Sequence, residues 1–174
     1  AALSPVLRNY QKTGYRWLKT METAGFGGIL ADDMGLGKTL QVIALLLNAR
    51  EEGNDLPSLV VCPASLVLNW ESEIRRFAPQ LTVLPILGDA EQRAASGYDV
   101  VVTSYDLLKR DIERYAAKEF RYHILDEAQV IKNHNTQNAK AVKAIRSRQR
   151  FALTGTPIEN RLSELWSIFD FLMP

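Results

Sequence analysis

The stretch from Gly27 to Thr39, Gly-Gly-Ile-Leu-Ala-Asp-Asp-Met-Gly-Leu-Gly-Lys-Thr, leaves this chain few folds to choose from. It reads as a short buried strand over residues 27–31, a tight loop, and a helix starting near Lys38. Gly35 and Gly37 lack side chains, so the loop can curl and turn its N–H groups inward. With the unpaired N–H groups of the following helix, they make a nest for an anion. Asp33, Met34, Gly35, Leu36 and Gly37 form the cradle. Lys38 places an ammonium on the outer phosphates of a nucleotide, and the Thr39 hydroxyl ligates magnesium. Asp32 stands where the strict phosphate-loop pattern has its first Gly. An ordinary loop before a helix is the competing reading. The strand, loop and helix signals come in the order a phosphate loop requires.

A chain of 174 residues can build one well-cored domain and is not clearly two. Its 21 basic and 20 acidic residues leave a net charge of +1, so a nucleic-acid surface would have to come from segregation of charge. Cys62 is the single cysteine, which excludes an internal disulfide and fits a reducing compartment. One Cys and two His make a structural zinc site a poor reading. The longest apolar run, Leu40 to Ala49, is too short to span a membrane, and no signal peptide is visible. The expected location is the cytoplasm. The chain starts at Ala1 rather than Met and reads as an excised piece.

Strand and helix signals alternate along the rest. Ser4-Pro5 opens a helix in which Gln11 is either a half-exposed polar residue or a carboxamide facing adenine. A buried helix follows the phosphate loop, with Gly53 as its stop. Residues 59–62 are a continuous apolar strand, as parallel sheets require. Ser65 is placed to cap the next helix, whose face is Leu66, Trp70, Ile74 and Phe77. The helix start at Pro63-Ala64-Ser65 is either a plain cap or a second phosphate contact. Further strands are expected at residues 82–86 and 99–103, then a helix over 107–117 capped by Ser104 or Asp106. Residues 91–96 read as a short polar helix.

Residues 122–125 are an apolar strand that ends in Asp126-Glu127. Ligands of parallel sheets sit at the carboxyl ends of the strands, so these acids reach the rim that carries the phosphate loop. Asp126 holds magnesium there through water, and Glu127 orients or deprotonates the attacking water. A solvated acidic turn is the alternative, made weaker by Lys38-Thr39. His123 reads as a packed or rim residue. Thr136 caps a helix with Ala141, Val142 and Ile145 inward and Lys140, Lys143 and Arg146 on the opposite face. That basic face is a solvated surface by default and a nucleic-acid or partner surface as the lesser reading. Residues 150–154 form the last strand. A capped helix follows, with Ile158, Leu162, Leu165, Trp166, Phe169 and Leu172 as its buried stripe.

This order predicts an α/β domain of RecA-like type, with a mainly parallel central sheet and helices on both faces. Six motifs narrow it. They are Leu7-Arg8-x-Tyr10-Gln11-x-x-Gly14; Asp32 to Thr39; Cys62-Pro63-Ala64-Ser65-Leu66 with Asn69-Trp70; Thr103-Ser104-Tyr105; Asp126-Glu127-Ala128-Gln129 with Ile131-Lys132-Asn133; and Leu153 to Asn160. In this order they resemble the first motor lobe of the Swi/Snf family of helicase-like ATPases, most closely its bacterial members, over nearly the whole chain. The resemblance implies a single ATP-binding lobe over residues 1–174, with ATP and magnesium as cofactors. Gln11 would read adenine. Lys38, Asp126, Glu127 and Gln129 would be catalytic, with Thr39 and Asp126 on the metal. Pro63, Ala64, Ser65, Thr103, Ser104 and Tyr105 would touch the DNA backbone. Thr154, Gly155 and Thr156 would couple nucleotide state to DNA contact.

The implied partners are double-stranded DNA, a second lobe of the same protein that supplies an arginine finger, and protein targets on DNA. No membrane is implied, and the lobe alone is expected to be inactive. Gln129 departs from the family's usual His, which bears on coupling. The competing functions are a strand-separating helicase lobe, a nucleotide-controlled binding module without hydrolysis, and an unrelated phosphate-loop kinase. The intact Lys38, Thr39, Asp126 and Glu127 speak against the second of these. The Thr-Gly-Thr-Pro and Asp-Glu-Ala-Gln runs speak against the third.

Overall fold

The computed structural model describes residues 28–31, 36–53, 55–88, 97–131, 136–154, 167, 168 and 170–172. Six parallel strands form one sheet in the order β1-β6-β5-β2-β4-β3. The strands are β1 (Gly28–Ala31), β2 (Ser58–Cys62), β3 (Val83–Pro85), β4 (Val100–Ser104), β5 (Glu119–Leu125) and β6 (Arg146–Thr154). The helices with described bounds are α1 (Leu36–Glu51), α2 (Val67–Phe77), α3 (Tyr105–Arg110), α4 (Ile112–Ala116) and α5 (Gln137–Lys143), and residues 167, 168 and 170–172 are helical as well.

Strands buried on both faces explain the continuous apolar runs. In β2, Val60 and Cys62 face the core beneath α1 and α2, where Val42, Leu45, Trp70 and Ile74 pack. The alternate residues Leu59 and Val61 face a second core with Leu108 of α3, Tyr115 of α4, Val142 of α5, and Ile168 and Phe171. Helices therefore cover both faces of a parallel sheet, as expected. Gly53 takes a φ of 77°, and its amide donates to the Arg50 carbonyl at the end of α1. Ser104 Oγ accepts from the Leu107 amide and Thr136 Oγ1 from the Ala139 amide, so both caps form. No helix among the described residues is long and apolar enough to cross a membrane.

Several expectations need correction. The first helix after the loop begins at Leu36, not Lys38. Ser65 caps nothing: residues Ala64–Leu66 form a 3-10 turn in which the Leu66 amide donates to the Pro63 carbonyl, and α2 starts after it without a side-chain cap. The helix expected over 107–117 starts at Tyr105 and breaks at Asp111 into α3 and α4. β5 and β6 both begin earlier than their apolar residues. Glu119 pairs with Arg146 and Phe120 with Ser147, since a backbone ladder forms irrespective of side-chain polarity.

The basic face also dissolves. Arg146 is a strand residue and donates to the Ala117 carbonyl. Lys143 is half-buried and pairs with Asp170 at 3.0 Å. Of the expected three, Lys140 is the exposed residue left on the helix. In the last helical stretch the buried residues include Ser167, Ile168 and Phe171, alongside Leu172 from the predicted stripe. Ile158, Leu162, Leu165, Trp166 and Phe169, and the polar helix at 91–96, lie outside the described residues.

Candidate active site

All six strands run the same way, so their carboxyl ends share one rim. Ala31 pairs with Thr154, Leu125 with Ala152, Val61 with Leu125, and Cys62 with Ser104. The first turn of α1 follows β1 at this rim and carries Lys38 and Thr39. Lys38 is buried, at 4% exposure. No direct ion pair ties it to a carboxylate among the described residues, but its charge reaches Asp126.

Asp126 follows β5 and is held by every polar group it owns. Its amide donates to the Val61 carbonyl at 2.7 Å. Its Oδ2 accepts from Trp70 Nε1 at 2.8 Å, and its Oδ1 from the Glu127 amide at 2.9 Å. Its carbonyl accepts from the Tyr105 hydroxyl at 2.7 Å. Burial raises the Asp126 carboxyl above its ordinary range. The Trp70 bond, the Lys38 charge and the Glu127 amide oppose that rise, and the Glu127 charge adds to it.

Glu127 turns the chain with a φ of 51°, in the left-handed region that few non-glycine residues adopt. The Val130 amide donates to its carbonyl at 3.0 Å and closes the turn into the 3-10 helix Ala128–Ile131. The Gln129 side-chain amide donates to the Glu127 carboxylate. The Gln129 Oε1 is buried and has no hydrogen-bond partner among the described residues. Glu127 and Gln129 thus act as one unit, with the carboxylate oriented by the amide.

The structure brings Lys38, Asp126, Glu127 and Gln129 to one rim. Thr39 is half-buried on the same first turn, and Thr154, fully buried, ends β6 between β1 and β5. Leu36 and Gly37 lie in α1, with the Leu36 side chain outside the described set. Gln11, Asp33, Met34, Gly35, Gly155 and Thr156 lie outside the described residues.

The segments expected to meet DNA divide into two kinds. Ala64 and Ser65 are exposed and Pro63 half-exposed at the end of β2. Thr103, Ser104 and Tyr105 are buried, at 0%, 3% and 5% exposure. The Ser104 hydroxyl is engaged in its cap and the Tyr105 hydroxyl on Asp126. The side chains of these three are thus held inside the fold.

Two supports of the acid escaped sequence reasoning. Trp70 read as an apolar face residue and Tyr105 as a DNA contact. The available signal was that a buried indole N–H or phenol O–H requires a partner. Cys62 is spent as packing. Its thiol approaches the Thr103 carbonyl at 3.7 Å, and burial followed by the Asp126 charge pushes it up to about 12.

The donor set fits a magnesium nucleotide. Each oxygen of the Asp126 carboxylate accepts one hydrogen bond and keeps lone-pair capacity for the water shell of a hard cation. Lys38 offers a buried ammonium that has no carboxylate paired with it among the described residues, and a phosphate would complete it.

Known proteins resemble this chain in sequence and fold. The SNF2-related domain matches residues 10–174. The chain is 46% identical over 173 residues to an uncharacterized ATP-dependent helicase of Mycoplasma genitalium, covering 97% of this chain and 17% of that protein. It is 45% identical to a putative ATP-dependent helicase/translocase of Bacillus subtilis, covering 95% of this chain and 19% of that protein. It is 42% identical to the TATA-binding protein-associated factor MOT1 of Saccharomyces cerevisiae, covering 99% of this chain and 10% of that protein. The chain thus spans less than a fifth of the length of these curated relatives. Among solved structures, the Sulfolobus solfataricus SWI2/SNF2 ATPase core in complex with dsDNA superposes with a TM-score of 0.89 at 48% identity, covering 97% of this chain and 36% of that one. With that fold, that site and that coverage, the chain belongs to the SNF2-related domain family, as the N-terminal lobe of its ATPase core.

Proposed function

We propose that this chain is the ATP- and magnesium-binding lobe of a DNA-dependent ATPase that tracks along double-stranded DNA and remodels protein–DNA complexes. One observation carries the reading: two buried opposite charges, Lys38 and Asp126, share the sheet rim with a Glu127 carboxylate held by Gln129. Lys38 holds the outer phosphates. Thr39 and Asp126 hold magnesium, which when bound neutralises phosphate charge. Glu127 orients the attacking water and takes its proton, and Gln129 keeps the carboxylate turned to that task. Gln11 and the loop from Asp33 to Gly37 complete the nucleotide site.

The DNA-facing part rests on the exposed Ala64 and Ser65 and on likeness to an ATPase core held with dsDNA. Thr154, Gly155 and Thr156 couple the two, since β6 runs between the strand of the phosphate loop and the strand of the acids. Phosphoryl transfer depends on positioning and on charge supplied around the phosphate, and a second lobe of the full-length protein supplies the rest. The exposed Lys140 adds little to DNA affinity.

The test uses the full-length protein. Glu127→Gln should keep magnesium-ATP binding and lower DNA-stimulated hydrolysis by about 10²–10⁴-fold, the usual worth of a general base. Lys38→Ala should weaken nucleotide binding itself. Hydrolysis by Glu127→Gln at the parent rate would show that Asp126-Glu127 has been misassigned.

A further inference from the structure

The Asp126 carboxylate is oriented by a side chain from a different layer of the fold. Trp70 lies on α2, at 2% exposure, and its Nε1–H donates to Asp126 Oδ2 at 2.8 Å. Its ring is packed in the core beneath α1 and α2, so the N–H cannot swing to another acceptor. The other carboxylate oxygen takes the Glu127 amide at 2.9 Å. Two donors from two elements fix the plane of the carboxylate, as partners of metal-binding carboxylates do. We infer that Trp70 is a positioning residue for the metal acid: its indole N–H holds the Asp126 carboxylate in the orientation from which it meets the magnesium–nucleotide complex.

The packing around Trp70 supports more than a space-filling role. A phenylalanine would fill most of the same site, yet the indole presents a donor toward a buried carboxylate. Removing that donor leaves Asp126 Oδ2 without the partner that opposes its burial. The position on α2 matters as well. Val67, Trp70 and Ile74 are the buried stripe of the helix, and the turn Ala64–Leu66, exposed at Ala64 and Ser65, leads directly into it. Trp70 therefore reports the position of that turn to the carboxylate through one rigid element.

This inference rests on Asp126 meeting magnesium, and the experiment separates the two. The full-length protein is loaded with a non-hydrolysable ATP analogue, and Mn²⁺ binding is followed by electron paramagnetic resonance. Three variants are compared: Trp70→Phe, replacement of Trp70 by 3-benzothienylalanine (the same bicyclic shape with sulfur in place of N–H), and Asp126→Asn. Circular dichroism checks the fold of each. Both Trp70 replacements should bind Mn²⁺ about 10- to 100-fold more weakly, the usual loss for a partner of a metal ligand. Binding of the analogue without metal should stay unchanged. If Trp70→Phe fails to fold, the benzothienyl variant decides, since it opens no cavity. Parent-like Mn²⁺ affinity in that variant, with Asp126→Asn weakened, would reduce Trp70 to packing. Parent-like affinity in Asp126→Asn would instead overturn Asp126 as the metal acid.

Discussion

His123 sits in the middle of the sheet, between Leu59 of β2 and Arg150 of β6, and has 0% exposure. Neither ring nitrogen has a hydrogen-bond partner among the described residues. The ring meets Phe171 edge-on at 5.0 Å and 82°. Burial, and then the Arg150 charge, lower its pKa from 6.5 to about 3. The native state keeps the imidazole neutral, while the unfolded chain takes up a proton below 6.5. This group's contribution is therefore fully present above pH 6.5 and is lost as pH falls toward 3. Worked through the linkage relation, the loss between pH 7.5 and pH 5 is about 2 kcal/mol. His123→Leu removes the titration and both orphan nitrogens at similar volume, so stability at pH 7.5 should hold or rise. Urea unfolding of parent and variant at the two pH values measures the difference. The Asp126 carboxyl, whose raised pKa acts with the opposite sign, is present in both proteins and cancels. If parent and variant lose equal stability between pH 7.5 and 5, the neutral buried imidazole is wrong.

Two further outcomes follow from single side chains. Arg150 donates to the carbonyls of Phe171 at 2.6 Å, Ile145 at 2.7 Å and Lys143 at 3.3 Å, so Arg150→Met should cost roughly 3 kcal/mol in urea unfolding, with most of the loss from the two shorter bonds. Glu127→Gly and Glu127→Ala both delete the carboxylate, yet at a φ of 51° the Gly variant should be the more stable by about 1 kcal/mol in thermal or urea unfolding; equal stability would mean that the turn relaxes at no cost.

Features that depend on near neighbours along the chain were legible. Leu59 to Cys62 read as a buried strand because helices cover both faces of β2. Thr136 and Ser104 read as caps because a cap bond spans three residues. Asp126-Glu127 read as a rim pair because an apolar strand ends just before it. The failures were pairings across distance. Helical spacing put Arg146 on a helix face, but the ladder with Glu119 drew it into β6. Lys143 read as solvated until Asp170 came beside it. Ser65 had the right residue type for a cap, but the Pro63 carbonyl took the Leu66 amide and wound a 3-10 turn first. Tyr105 stood in a polar run, and nothing local indicated that its hydroxyl would seat on Asp126, 21 residues on.

Strand order decides which of these pairings can shape the site. Among the described strands β6 alone pairs with β1, while β5 lies between β6 and β2. The supports of Asp126 come from the β2 and β4 side: the Val61 carbonyl from β2, the Trp70 indole from α2 after it, and the Tyr105 hydroxyl from the residue after β4. Lys38 comes from the β1 side, on α1. Ammonium and acid are thus carried by two halves of one sheet that meet at β6. Leu125 pairs with Ala152, so β6 continues to Thr154 beyond the last paired residue of β5, and Thr154 in turn pairs with Ala31 of β1. Any relative motion of β1 and β5 has to shear the β6 ladder on one side or the other, and a rigid sheet makes that costly. Adjustment is then left to side-chain orientation, and the groups that govern it are the Trp70 indole for Asp126 and the Gln129 amide for Glu127.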